Sequence, residues 1–244
     1  MTAGEAKRRM QELPLGDLAT ILGGRTPLVL APHPDDESLG CGGLLAGCAA
    51  SGRRAFVLVL TDGTGSHPNS RAWPPARLRA LREAEAADAI AALGIAADRI
   101  GFLRLRDTAA PTAGPGFNAA TAAIAAALRA HGCDMLLAPW RHDPHCDHAA
   151  AHLMAASVAR DARVPHLAYP VWGWTLPDAM PLAGPVPAGW RLDVTPHLAA
   201  KRRAVAAHAS QGTDLIADDP ERFRLPAELL DRLCGRTETF LTPP

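Results

Sequence analysis

The sequence predicts an α/β protein, a three-layer Rossmann-like arrangement in which a mainly parallel sheet carries helices on both faces. Three observations carry this. From residue 27 onward, short apolar runs alternate with stretches of helical periodicity, the mark of successive βαβ units. Two of those runs are followed at once by clusters of His and Asp, as expected where strands of an open α/β sheet end at a ligand crevice. The chain has 244 residues, 48% of them hydrophobic, enough for a substantial core in one domain spanning residues 1–244, with its centre at about 26–215.

Taken in order, the pattern places a helix over 4–22 and a first strand at Pro27-Leu28-Val29-Leu30-Ala31, followed by the loop prolines Pro32 and Pro34. A Gly-rich helix over 39–50, a strand over 55–60 and a helix over 75–93 come next. That last helix has Leu78, Leu81, Ala89 and Leu93 at helical spacing, Pro74 and Pro75 at its start and Gly94 at its end. Its other face, with Arg79, Arg82, Glu83 and Glu85, reads as mostly solvated. Strands over 99–103, 134–138 and 166–170 enclose helices over 118–131 and 148–161. Right-handed crossovers are the default for such units. Residues 61–73 and 107–117 lack periodicity and read as loops over one sheet edge. Beyond Pro170 the Trp-, Pro- and Gly-rich stretch 172–190 reads as a flap closing one side of the cleft, ahead of a helix over 197–209 and further helical sequence to 235.

Composition narrows the function. Lys plus Arg and Asp plus Glu both number 25, so no net positive field favours nucleic acid. Five cysteines with no C-x-x-C pair argue for a reducing compartment, hence the cytoplasm. Lys7, Arg8 and Arg9 are followed by Gln11, Glu12 and Asp17 rather than an apolar stretch, so no export signal is expected. The longest apolar tract, 119–128, is far below the ~20 residues of a membrane span.

The chemistry lies in Ala31-Pro32-His33-Pro34-Asp35-Asp36-Glu37 and in Trp140-Arg141-His142-Asp143-Pro144-His145-Cys146-Asp147-His148. A catalytic zinc site needs three protein ligands and an open position, and His33, Asp36 and His148 supply such a set if the two strands are neighbours. Asp35 is then free to take a proton from attacking water. His145 would stabilise an oxyanion or protonate a leaving group, with Asp147 holding it charged. Structural readings stand beside these: Asp36 as a helix cap, Asp143-Pro144 as a helix start, and Trp172 and Trp174 as core or wall aromatics rather than a sugar platform. His148 and His152 have the i, i+4 spacing of a zincin pair but lack its Glu, and Cys146 should face away from the His145–His148 side.

These two segments resemble the PIG-L/LmbE-like family of zinc-dependent N-deacetylases: His33 to Glu37 is similar to its HPDDE motif and His145 to His148 to its HPDH motif. Arg82-x-x-Glu85, Leu93-Gly94, Lys201 and His208-x-Ser210-Gln211 are similar to further family segments, and the likeness spans about 26–215. The resemblance implies His33, Asp36 and His148 as metal ligands, Asp35 as general base, and His145 with Asp147 as the oxyanion-stabilising pair. It implies a zinc ion, or ferrous iron, as cofactor. The implied activity is removal of an N-acetyl or small N-acyl group from an amino-sugar metabolite, a small-molecule substrate. The chain departs from the family at Thr61-Asp62-Gly63-Thr64, where some relatives have Gly-Glu, and at Cys146, where proline is usual. His67, Arg82 and Asp107 are the expected polar contacts to substrate. Two rival readings remain open at this point: an amidase for larger conjugates and a non-catalytic metal-binding module. Assembly as a homo-oligomer is compatible with the sequence.

Overall fold

A computed structural model describes residues 1–243. In chain order its elements are α1 (Ala3–Glu12), β1 (Leu15–Gly16), α2 (Leu18–Leu22), β2 (Pro27–Ala31), α3 (Asp36–Ala50), β3 (Phe56–Thr61), α4 (Pro75–Ala92), β4 (Ile100–Leu105), α5 (Gly114–Ala130), β5 (Met135–Pro139), α6 (Cys146–Ala162), β6 (His166–Tyr169), β7 (Gly189–Asp193), α7 (Leu198–Ala207), α8 (Ala209–Gly212), α9 (Ala227–Leu233) and β8 (Thr237–Leu241). Short 3₁₀ turns occupy Thr64–Ser66, Ala97–Arg99, Trp172–Thr175 and Thr195–His197. The strands form one sheet in the order β1-β7-β8-β6-β5-β2-β3-β4, parallel except where β8 runs against β6 and β7. No helix among the described residues is long and apolar enough to cross a membrane.

Strand alternation divides the core. Val29, Val57, Val59 and Leu137 face α3, α4 and α7 through Leu44, Leu45, Ile90 and Val205. Leu28, Leu30, Leu58 and Leu136 face α5 and α6 through Ile124, Leu128, Met154 and Val158. Period-two sequence thus becomes two apolar layers, each fully buried leucine contributing about 1.5–3 kcal/mol before chain entropy is set against it. The glycines of α3 cost the helix about 1 kcal/mol each in propensity. Close packing requires two of them: a Cβ on Gly40 would overlap the ring of buried Tyr169, and one on Gly43 would overlap Val194.

β2 and β5 are adjacent, Leu28 lying beside Leu136 and Val29 beside Leu137. From β2 the chain order runs outward through β3 and β4, and from β5 through β6 in the other direction. The switch between the two directions leaves a crevice beyond the C-terminal ends of β2 and β5, the place where such sheets bind ligands.

Several boundaries differ from the sequence expectation. The helix expected over 4–22 is two helices, because the residue before Pro14 is pushed out of the helical region and Leu13 is extended. Thr2 and Glu5 form a capping box on α1, and Asp17 caps α2. α3 begins at Asp36, α5 at Gly114 and α6 at Cys146, each a few residues earlier than the periodicity indicates. The flap is in large part not a flap. Gly189–Asp193 is a sheet strand, while Leu176 and Leu182 pack with Ala3, Ala6 and Met10 of α1. On α4, Arg82 and Glu85 are buried rather than solvated.

Candidate active site

The switch point brings the two His/Asp segments together. His33 follows β2, Asp36 opens α3, and His148 lies in the first turn of α6. Asp36 Oδ2 is 3.2 Å from His33 Nδ1 and 3.2 Å from His148 Nε2, close to the ~3.3 Å that separates ligand atoms around a tetrahedral zinc with bonds near 2.0 Å. Asp36 Oδ2 is also held by the backbone N–H of His33 at 3.0 Å. His148 is fully buried, and its Nε2 makes no hydrogen bond of acceptable geometry despite its nearness to Asp36. A desolvated nitrogen left in this way is what a metal ligand presents before its cation is considered.

The outer nitrogens of both rings are held by carboxylates. His148 Nδ1 lies 3.0 Å from Asp143 Oδ2, and His33 Nε2 lies 3.1 Å from Asp147 Oδ2 and 3.2 Å from Asp107 Oδ1. Such partners set the tautomer that leaves the inner nitrogen free to coordinate. Asp143 does more: its carboxylate also accepts the backbone N–H groups of Val171, Trp172 and Gly173 at 3.0, 3.0 and 2.7 Å. One buried carboxylate therefore fixes both the His148 ring and the turn after β6.

Asp35 precedes α3, 5% exposed and beside the Arg82 guanidinium at 3.4 Å. Arg82 anchors the loops around it, donating to the carbonyls of Gly63 at 2.8 Å and Pro34 at 3.0 Å. Asp107 accepts the N–H of Gly65 at 2.8 Å. His145 is the N-cap of α6, its Nδ1 accepting the Asp147 N–H at 3.2 Å, with its ring edge-on to His33 at 4.5 Å. Nitrogens of His33, His145 and His148 lie within 4.8 Å of one another, as do donor atoms of His33, Asp107, His145 and Asp147. The two groups of donors share His33 and His145, and Asp36 belongs to neither.

The expected Asp147–His145 pair is corrected by this geometry. The Asp147 carboxylate accepts from the N–H groups of Thr108 at 2.8 Å and Ala110 at 2.9 Å, and it also meets the His33 ring and, more loosely, the Cys146 thiol. It holds the loop after β4 against the site. Thr108 has a φ of +63°, a left-handed conformation that costs a β-branched residue about 1–3 kcal/mol and persists where its surroundings enforce it. His67 is corrected too: it is 3% exposed, its ring turned to Ser66 Oγ at 3.0 Å, and it does not line the cleft. His152 is bound to the Pro139 carbonyl at 3.1 Å and packs against His166, so it forms no cation pair with His148. Cys146 is exposed, its thiol 3.5 Å from the Thr108 carbonyl.

Charge follows from these contacts. Burial works against the imidazolium of His33, but hydrogen bonds to Asp107, Asp147 and Asp36 hold its pKa well above the ordinary value. His148 is likewise pushed up to about 9, its burial outweighed by Asp36 and Asp143. Burial disfavours the Asp36 carboxylate, yet His148 and His33 keep its pKa well below the usual range. Asp35 is raised to about 6 by burial, with Arg82 opposing and Asp36 adding to the rise. Burial and then the neighbouring His33 and His148 lower His145. Without a cation, these contacts favour a proton on each of the two inward-facing histidines, and a divalent cation bound there would displace it.

A cleft of about 130 Å³ opens over this cluster, lined by His33, Asp35, Asp36, Arg82, Asp107 and His145, and also by Leu39, Gly65, Ser66, Thr108, Trp172, Gln211 and Phe223. Of the three expected substrate contacts, Arg82 and Asp107 reach it. Gln211 belongs to a segment singled out in the sequence, whereas nothing in the local sequence around Phe223 marks it.

The chain and its fold have counterparts among known proteins. The family model described as PIG-L, GlcNAc-PI de-N-acetylase, matches residues 28–159, more than half of the chain, and the protein belongs to that family. The 1D-myo-inositol 2-acetamido-2-deoxy-alpha-D-glucopyranoside deacetylase of Rhodococcus opacus (strain B4) is 31% identical over an alignment taking in 78% of this chain and 82% of that protein. The 2'-N-acetylparomamine deacetylase of Streptomyces fradiae is 37% identical over 53% of this chain and 50% of its own length. Among solved structures, the N,N'-diacetylchitobiose deacetylase of Pyrococcus horikoshii superposes with a TM-score of 0.65 at 19% identity, covering 93% of this chain and 87% of that one.

Proposed function

We propose that the protein is a divalent-metal-dependent deacetylase that removes an acetyl or other small acyl group from the amine of an amino-sugar metabolite, working as one cytoplasmic domain. Zinc, or ferrous iron, held by His33, Asp36 and His148 would supply a Lewis acid that polarises an amide carbonyl and lowers the pKa of water. The observation that carries the reading is the placement of Asp36 Oδ2 at 3.2 Å from one nitrogen of each histidine, with His148 Nε2 buried and free of hydrogen bonds. Relatives named as deacetylases of a 2-acetamido-2-deoxy-glucopyranoside and of 2'-N-acetylparomamine support the substrate class.

Asp35 takes the proton of the attacking water. Burial raises its pKa above the ordinary carboxylate value against the pull of Arg82, which favours a group able to accept a proton. Arg82, beside it, orients the carboxylate and fixes the loop that presents it. His145 lines the cleft next to His33 and donates to the developing oxyanion or to the departing amine. Asp147 acts through His33 and the Thr108 loop, and Asp107, which meets His33 and lines the cleft, would contact the substrate.

Asp35→Ala tests this reading. Metal content measured on the purified variant should match wild type, while hydrolysis of N-acetylated sugars falls by about 10²–10⁴-fold. Unchanged turnover would end the general-base assignment. A wild-type protein that binds metal but hydrolyses no N-acyl amine would point to a binding module, and one that cleaves only bulky conjugates would point to an amidase.

A further inference from the structure

The cleft has two chemical characters. Carboxylates, Arg82 and histidines form its polar lining, while Leu39, Trp172 and Phe223 form an apolar patch continuous with the main core. Trp172 and Phe223 meet edge to face, ring centroids 5.7 Å apart at 70°. Both are only half-buried, so they leave aromatic surface in the cleft. Their partner in apparent role, Trp174, does not reach it and instead stacks under the Arg232 guanidinium at 3.9 Å.

Both aromatic residues are held at fixed positions relative to the proposed metal ligands. The Trp172 N–H is bound at 3.0 Å by Asp143 Oδ2, the same oxygen that lies 3.0 Å from His148 Nδ1. The Phe223 N–H donates at 2.8 Å to the carbonyl of Ser66, itself a cleft residue. The stretch before Phe223 is tied down in turn. Asp218 accepts from Ser70 Oγ and from the N–H groups of Arg71 and Ala72, and Asp219 accepts from the Asn69 N–H. A rigid apolar surface whose distance to the reacting centre is set by backbone hydrogen bonds is suited to sorting substrates by shape.

We infer that Trp172 and Phe223 are the specificity-determining residues of the cleft and take the apolar C–H face of a pyranose ring, selecting N-acyl amino sugars over acyclic N-acyl amines. A pyranose has the matching asymmetry, hydroxyls around its edge and C–H groups across its face, and aromatic rings are well suited to covering such a face. This inference rests on the deacetylase reading for its consequence in turnover, but not for binding itself.

The test compares methyl 2-acetamido-2-deoxy-glucopyranoside with acyclic N-acetylethanolamine, using calorimetric binding and steady-state hydrolysis on wild type, Phe223→Ala, Phe223→Leu and Phe223→Tyr. The alanine and leucine variants should bind the glycoside about tenfold more weakly. Their KM should rise to match while kcat stays within about twofold, because uniform binding is what has been removed. Binding of the acyclic amide should not change, and the tyrosine variant should recover the glycoside. Equal losses for both compounds, no loss for either, or wild-type binding of the acyclic compound as tight as that of the glycoside would overturn the inference. Leu fills most of the space of Phe, so it keeps the comparison available if the alanine variant folds poorly. Selective glycoside binding without any hydrolysis would leave the wall in place and remove the deacetylase reading instead.

Discussion

Asp143→Asn is the most informative substitution outside the proposed ligand set, because it exchanges one oxygen for an NH₂ group and disturbs three of the four contacts that the carboxylate makes. The wild-type carboxylate, 3% exposed, accepts from His148 Nδ1 and from the N–H groups of Val171, Trp172 and Gly173. An asparagine whose carbonyl keeps the shortest of these, at Gly173, turns its NH₂ toward the other three donors. Hydrogen bonds to a charged group are worth about 1.5–3 kcal/mol each and are not additive, so a loss of about 3–6 kcal/mol of folding stability is expected. The effect that bears on function falls on the metal: His148 loses the acceptor that keeps its proton on Nδ1, its Nε2 becomes the protonated atom, and affinity for zinc should drop about 10–100-fold. Competition with a chromophoric chelator measures the affinity, and thermal unfolding measures the stability. Zinc affinity within about twofold of wild type would refute the argument that Asp143 sets the tautomer.

Two further expectations concern proton competition and the buried ion pair behind the site. Because His148 is pushed up to about 9 and His33 is also raised, protons compete with the cation below those pKa values; apparent metal affinity should climb as pH rises toward about 9, with protons released on binding. Calorimetry in buffers of different ionisation enthalpy reads that release, and a pH-independent affinity without release would contradict it. Lys201, fully buried, donates to Glu238 Oε1 at 2.7 Å and to the Leu39 carbonyl at 2.9 Å, while Glu238 also accepts the N–H groups of Gly43 and Leu44. Lys201→Met leaves that carboxylate without its countercharge and should cost about 3–5 kcal/mol, a fall in Tm on the order of 10 °C for a chain of this size; a melting curve unchanged from wild type would show that the pair does not hold α3.

The central βαβ run could be read from the sequence because burial on both faces makes β2, β3 and β5 continuous apolar runs, separated by α3, which is buried almost all round, and by α4 and α5, which repeat buried residues at helical spacing. The edge of the sheet could not. β1 has two residues, and β8, Thr-Glu-Thr-Phe-Leu, buries its glutamate through Lys201, which no local pattern announces. At the site, the convergence of His33, Asp36 and His148 was legible because two strand ends carried His and Asp clusters. The partner of Asp147 was not, since its side chain turns to backbone N–H groups nearly forty positions earlier in the chain, at Thr108 and Ala110. His67 misled because its polar neighbourhood resembled a loop surface, whereas α8 and the 218–221 stretch close over that loop. Phe223 reaches the cleft only through a backbone bond to Ser66, a long-range contact with no sequence signal.

X-ray absorption and anomalous diffraction on the zinc-loaded protein test the account most directly. One ion is predicted, coordinated by His33 Nδ1, Asp36 Oδ2 and His148 Nε2 at about 2.0–2.2 Å with an open fourth position. An ion held instead by His145, Asp107 and Asp147, or density for zinc only outside the β2–β5 crevice, would contradict the proposed centre.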